Sequence, residues 1–291
     1  MKRPGRAASI VELLRPPNVF TAVADALAGL ALAFGGLAAV PEHGFWLLGA
    51  SGSLYLGGMA LNDYCDRHVD ARERPERPIP SGRVPAPTAL AIAVGLLALG
   101  LVFAWAAGAL VPALALAAAI VLYDAALKDT AAGFFNMGIC RGLDVSLALA
   151  IAPLVPPLAI AAAVSLTAYV ATLTYLSRDE VAGGATERTR RAVAALAWIA
   201  ALIAVSLSAT PSPFFGGAFL FALLVRGMPL FTPLWTAADP AVIGRAIGGG
   251  ILLIPLFDAV FVAASGRPLS AIVVASLMLP ALGLRRLYSP T

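Results

Sequence analysis

Between Leu61 and Val84 the sequence reads LNDYCDRHVDARERPERPIPSGRV. This gathers Asp63, Asp66, Asp70, Glu73 and Glu76 among Arg67, Arg72, Arg74, Arg77 and Arg83 in a chain with only 12% charged residues. The stretch follows directly on an apolar run. If the helix of that run continues through Asp70, offsets of three and seven residues bring Asp63, Asp66 and Asp70 within roughly 60° of one face, with Asn62 on its flank. His68 points away from that face and reads as a solvated residue. Three carboxylates on one face repel one another unless a hard cation is shared between them, and Mg2+ carrying a phosphorylated ligand suits such a site. The other reading is a solvated, charge-alternating loop that anchors the membrane edge.

The elements that must position these residues are membrane helices. In a chain of 291 residues, 60% hydrophobic content, a mean hydropathy of +0.89 and 27 glycines leave too little polar surface to cover a soluble domain. Apolar runs of bilayer-crossing length occur near residues 17–39, 45–62, 87–107, 109–126, 131–152, 157–177, 191–209, 213–231, 241–264 and 268–286. The expected fold is therefore all-α, a polytopic transmembrane bundle of about ten, alternatively nine, helices. The 241–264 run is the one in question because of Gly248, Gly249, Gly250 and Asp258. No cleavable leader is expected, since the apolar segment after the basic start is as long as a full span. No low-complexity linker divides residues 1–291, which read as a single integral-membrane domain. Cys65 and Cys140 are too few for a disulfide framework or a zinc site.

A net charge of +4 and a pI near 9.4 raise the question of nucleic acid. The placement of the charges answers it. With the N-terminus cytoplasmic and an even number of crossings, every Lys and Arg except Arg141 and Arg267 falls on or near the cytoplasmic side. That is the positive-inside distribution of a plasma- or inner-membrane protein, and it leaves lipid rather than nucleic acid as the partner. The acidic residues near 63–76, 124–129 and 179–187 lie on the same side, a polar cap over an apolar bundle.

Other groups could join the site. Lys128 closes Tyr123-Asp124-Ala125-Ala126-Leu127-Lys128, either as an i, i+4 partner of Asp124 or as a phosphate ligand. Asn136, Arg141 and Asp144 recur in the fifth run, where an ionised group costs about 3 kcal/mol. Arg141 and Asp144 read either as a structural ion pair or as the polar wall of a substrate cavity. Asp25 and Asp258 read as lone acids facing the bundle interior. Asn18, after Arg15-Pro16-Pro17, could reach a phosphate oxygen from the cytoplasmic edge. A second acidic group, Asp179 and Glu180 after Arg178, closes the sixth run as Asp63 closes the second, the pattern of two duplicated four-helix units.

The combination resembles the UbiA superfamily of intramembrane prenyltransferases. Asn62-Asp63-x-x-Asp66-x-x-x-Asp70 with Arg77-Pro78-Ile79-Pro80-Ser81-Gly82 resembles its first signature, Tyr123 to Lys128 its tyrosine-and-lysine motif, and Arg15-x-x-Asn18 its helix-one element. Arg178-Asp179-Glu180-Val181-x-Gly183-Gly184, with Asn136 to Gly142, is similar to the EboC-like branch. The resemblance implies a bundle around a central cavity open to the cytoplasmic side. It implies Mg2+ held by Asp63, Asp66, Asp70, Asp179 and Glu180, the four aspartates being the catalytic candidates. It also implies a prenyl diphosphate held by Asn18, Asn62, Lys128 and Arg178, with Arg77, Tyr123 and Arg141 completing the substrate-binding set. The chain departs from the family at the second motif, where Gly183 stands in place of a second aspartate four residues after Asp179.

The expected chemistry is Mg2+-dependent transfer of a prenyl group from a polyprenyl diphosphate to a hydrophobic or aromatic acceptor in the membrane. A transport-related or non-catalytic protein that keeps a diphosphate-lipid site is the alternative. Phosphotransfer between CDP-linked alcohols needs an Asp-Gly pair that the sequence lacks.

Overall fold

Each of the ten apolar runs becomes a helical segment in the computed structural model, which describes residues 5–178, 187–236 and 239–288. A short amphipathic helix, α1 (Arg6–Leu14), precedes α2 (Val19–Ala33), and α3 (Trp46–Glu73), α4 (Ala86–Ala107), α5 (Leu110–Leu122), α6 (Gly133–Ser146) and α7 (Pro157–Ser177) follow. The rest is α8 (Glu187–Leu207), α9 (Pro213–Phe231), α10 (Pro240–Leu252), α11 (Ile254–Ala264), α12 (Pro268–Ser276) and α13 (Met278–Tyr288). The fold is all-α, and every regular element among the described residues is helical.

Eight segments are long and apolar enough to cross a bilayer. The other two runs are accounted for by their residues. Helix α3 interleaves Gly and Ser with its Leu side chains, and α6 has 14 residues and carries Asn136, Arg141 and Asp144. The chain is an integral, multi-pass membrane protein. Its 241–264 run is present but broken. Pro255 has no N–H to continue the ladder, so α10 stops at Leu252 and α11 restarts at Ile254, with the Leu253 N–H shared between the Gly249 and Gly250 carbonyls at 3.1 Å.

Helices α2 and α11 form the centre of the bundle. Every residue of α11 is buried, and α2 packs against it while touching α3, α6 and α7 on its other sides. The outermost side chains are apolar instead, with Trp105, Val111 and Phe214 among the most exposed. This inversion of a soluble protein's surface is what a lipid solvent requires. Trp46 stacks on Phe103 with centroids 5.6 Å apart, near Trp105, as in an interfacial aromatic belt. An aliphatic cavity of about 460 Å³ lies between α7, α8, α9 and α11.

With lipid outside and apolar residues inside, close packing holds the helices together, and small residues set how near they come. Gly29 of α2 lies directly against the Val145 carbonyl of α6 and is within 3.2 Å of Ala148 Cβ at the place a side chain would begin. Gly95 of α4 faces open space. Gly29→Ala is therefore expected to destabilise the protein in detergent by about 1–3 kcal/mol. Gly95→Ala should be neutral or stabilising by about 0.5–1 kcal/mol. Thermal unfolding of the two variants side by side checks the packing; equal midpoints would contradict it.

Candidate active site

At a rise of 1.5 Å per residue the 28 residues of α3 extend about 42 Å, longer than the ~30 Å hydrocarbon layer. Its last turns therefore stand at the membrane surface. Pro75 ends the helix by forcing Arg74 out of the helical region, at φ −143° and ψ 61°. Asp63 and Asp70 are buried on one side, Asp66 is half-buried near them, and His68 is exposed. The expected continuation of the helix through Asp70 is observed.

Each carboxylate is matched to a cation from another segment. The Arg15 guanidinium pairs with Asp63. Arg77 Nη1 lies 2.7 Å from Asp70 Oδ2 and 3.7 Å from Asp63 Oδ1. Lys128 Nζ pairs with Asp66. The three carboxylates are thus paired one by one rather than gathered on a common point. Among the described residues no three His, Cys, Asp or Glu side chains come together closely enough to hold a metal, because each aspartate is drawn toward a different cation. Lys128 likewise does not pair with Asp124, which accepts a hydrogen bond from Asn62 Nδ2 at 2.9 Å.

Local backbone geometry sets these pairs up. Arg15 has φ 47°, the only positive φ of a non-glycine residue among those described, between the end of α1 and Pro16. That conformation is strained for a side-chain-bearing residue. At the end of α5 a single wide π turn, Tyr123–Leu127, precedes Lys128; such insertions are frequent at functional sites. The loop carrying Arg77 is clamped by Arg83, which donates to Glu12 Oε1 at 2.9 Å, to Ser9 Oγ at 3.4 Å and to the Glu76 carbonyl at 2.6 Å. Hydrogen bonding to Glu12 raises the Arg83 pKa above its already high ordinary value, so the clamp stays cationic at any working pH. Nothing in the sequence marked the Arg83 to Glu12 contact, which joins positions 71 residues apart.

A cavity of about 70 Å³ runs along α3 below this face, from Asn62 through Met59 and Tyr55 to Ser51, with Tyr123, Asp124, Arg141 and Asp144 on its other walls. The expected Arg141–Asp144 pair is not the one that forms. Arg141 Nη2 lies 2.8 Å from Asp25 Oδ2, and Asp144 accepts from Ser51 Oγ at 2.7 Å. Asp25 is not a lone acid: it faces Arg141. The Asp25 and Asp258 carboxylates both face the interior, as expected. Asn136 is a structural link, its Nδ2 donating to the Ala119 carbonyl at 2.8 Å. Asn18 closes the short turn that follows Arg15, its backbone carbonyl accepting from Thr21 Oγ1 at 2.7 Å. Arg178 donates to the Thr130 carbonyl and sits 5.5 Å from the Phe134 ring centroid, turned toward the segment that follows Lys128. Asp179 and Glu180 lie outside the described residues.

Comparison with known proteins agrees with this geometry. A digeranylgeranylglyceryl phosphate synthase of Ignicoccus hospitalis is 37% identical over 132 residues, 45% of this chain and 42% of that relative. A bacteriochlorophyll synthase 33 kDa chain of Rhodobacter capsulatus is 55% identical over 49 residues, 17% of this chain and 16% of that one. The matched stretches thus span less than half of these relatives' lengths. They give no support to the narrower EboC-like branch expected from the sequence. The fold matches a UbiA homolog from Archaeoglobus fulgidus, solved with GPP and Mg2+, at a TM-score of 0.66 and 16% identity over 92% of this chain and 99% of that one. The apo UbiA homolog from Aeropyrum pernix K1 matches at 0.60 and 20% identity over 88% and 97%. The model of the UbiA prenyltransferase family covers residues 22–247, from α2 into α10, with the aspartate face and the cavity inside that range, and to that family the chain belongs.

Proposed function

We propose that the chain, acting as one integral domain, catalyses Mg2+-dependent transfer of a prenyl group from a prenyl diphosphate to an acceptor within the membrane. The observation that carries this is the set of cations, Arg15, Arg77 and Lys128, drawn from three segments onto the carboxylates of one α3 face above a cavity. Mg2+ is commonly held by one or two carboxylates, with water and substrate phosphates filling the remaining positions. The oxygen donors of Asp63, Asp66 and Asp70 fit that mode without all three converging. When bound, the ion supplies charge neutralisation for the leaving diphosphate.

The side chains of the chain itself do the rest. Where Asp63, Asp66 or Asp70 would hold the ion, Arg15, Arg77 and Lys128 would be free to pair with phosphate oxygens, guanidinium forks and an ammonium being matched to them. Asn62 and Tyr123 line the cavity, Asn18 follows Arg15 by three residues, and Arg178 reaches the same segment as Lys128, which supports their assignment to the diphosphate. Breaking the allylic C–O bond leaves a carbocation and diphosphate. Leu54, Leu116, Ile120 and Met137 keep water from the cation until the acceptor nucleophile bonds to it and gives up its proton.

The relatives are named for unlike products, a digeranylgeranylglyceryl phosphate and a bacteriochlorophyll. Family membership therefore leaves the acceptor class open, and the expected hydrophobic or aromatic acceptor widens to include glyceryl phosphates. The distribution of Lys and Arg supports a cytoplasmic N-terminus and a cytoplasmic aspartate face.

Asp63→Ala and Asp66→Ala are each expected to lower Mg2+-dependent diphosphate release from labelled geranyl diphosphate about 100-fold or more while the protein stays folded in detergent. Retained release in both variants would remove the assignment. Electrostatics gives a second expectation. Arg77→Ala leaves the buried Asp70 carboxylate without its cation, Asp63 keeping Arg15, and should cost about 3 kcal/mol, part of which Asp70→Asn in the same chain restores. Chemical denaturation of the single and double variants reads the coupling, and simple additivity would refute it.

A further inference from the structure

The cavity beneath the aspartate face does not end in hydrocarbon. Its sides are Leu54, Leu116, Ile120 and Met137, but Arg141 and Asp144 stand at the end away from Asn62. These two residues are only 7% and 5% exposed. Their hydrogen-bonding capacity is not used up. Arg141 Nη2 faces Asp25 Oδ2 at 2.8 Å as an ion pair without hydrogen-bond alignment, so that among the described residues Nη2 and both Asp25 oxygens also lack a hydrogen-bond partner, and Asp144 spends Oδ2 on Ser51. Arg141 Nε and Asp144 Oδ1 have no hydrogen-bond partner among the described residues. Buried polar atoms left in that state cost about 1–3 kcal/mol each, more for charged groups.

The chemistry of this floor selects its ligand. An isoprenoid tail offers neither donor nor acceptor and would leave both atoms stranded. An anion offers only acceptors and would meet the buried Asp25 and Asp144 carboxylates beside the one guanidinium. A neutral hydroxyl satisfies both atoms at once, donating to Asp144 Oδ1 and accepting from Arg141 Nε. We infer that Arg141 and Asp144 form a recognition subsite for a neutral hydroxyl group of the acceptor, separate from the place of the diphosphate. This rests on the prenyl-transfer reading and names the substrate group that the site takes.

Geometry limits the size of that acceptor. The Arg141 guanidinium lies 5.8 Å from the Tyr55 ring centroid, which places the subsite at the level of Tyr55. Seven residues of α3 separate Tyr55 from Asn62, about 10 Å at the helical rise. The hydroxyl and the reacting atom of the acceptor are therefore separated by about the length of one or two rings.

Three small probes of similar size test the subsite on the full chain in detergent: benzyl alcohol, toluene and benzoate, titrated by saturation-transfer NMR. Wild-type protein is expected to bind benzyl alcohol about tenfold more tightly than either of the others, one hydrogen-bonded pair's worth. Asp144→Leu, which keeps the volume, and Arg141→Lys, which keeps the charge facing Asp25, should each abolish that preference while eluting as monodisperse protein. Equal binding of toluene or benzoate by wild type, no binding of benzyl alcohol, or an unchanged preference in both folded variants would overturn the subsite. Diphosphate release from geranyl diphosphate by wild type is measured in parallel. Its absence would remove the transfer reading, and the probe preference still decides the subsite.

Discussion

Three carboxylates on one helical face cannot stand uncompensated, and the way they are neutralised organises this end of the molecule. Asp63, Asp66 and Asp70 draw in the junction before α2, the loop after α3 and the turn after α5. Each of those segments carries its own adaptation: a left-handed Arg15, an Arg83 clamp on the Arg77 loop and a π turn before Lys128. Segments distant in sequence are thus brought together by charge, over a bundle packed mainly through apolar side chains. The same cations that hold the carboxylates have the chemistry to hold a diphosphate, so the ground-state structure and the proposed reaction use the same groups in exchanged pairings.

A second polar assembly lies deeper. Asp25, Arg141, Asp144 and Asp258 are buried between α2, α6 and α11, where charge is tolerated only when it is paired or functional. The Arg141 guanidinium faces Asp25, and Arg141 and Asp144 border the cavity. The cavity thus joins a charged rim to a charged floor through apolar walls, an arrangement suited to a donor with an ionic head and an acceptor with a small polar handle.

Much of this was legible in the sequence for identifiable reasons. Helix positions follow from runs of apolar residues, and the carboxylate face follows from offsets of three and seven residues on a helix that Pro75 terminates. Spacing also drew attention to Arg15, Asn18, Lys128 and Arg141. What spacing cannot supply is the partner of each charge. Local pairing would join Arg141 to Asp144 and Lys128 to Asp124. The observed partners are Asp25 and Asp66, 116 and 62 residues away, and are set by how α6 packs on α2 and how the end of α5 meets α3. The Arg83 to Glu12 clamp was hidden for the same reason. The glycines and Asp258 marked the 241–264 run as a weak point in the sequence, while Pro255, whose missing N–H makes the break between α10 and α11, was not singled out.

The exchange of partners at the aspartate face is the central physical claim, and a diffraction experiment tests it most directly. Crystals grown with Mn2+ in place of Mg2+ and a geranyl thiolodiphosphate would locate the metal by its anomalous signal. The expected result is metal density between the diphosphate and at least one of Asp63, Asp66 and Asp70, with Arg15, Arg77 or Lys128 moved from its carboxylate to a phosphate oxygen. Intact ion pairs on all three aspartates, with the metal and diphosphate bound elsewhere or not at all, would contradict it.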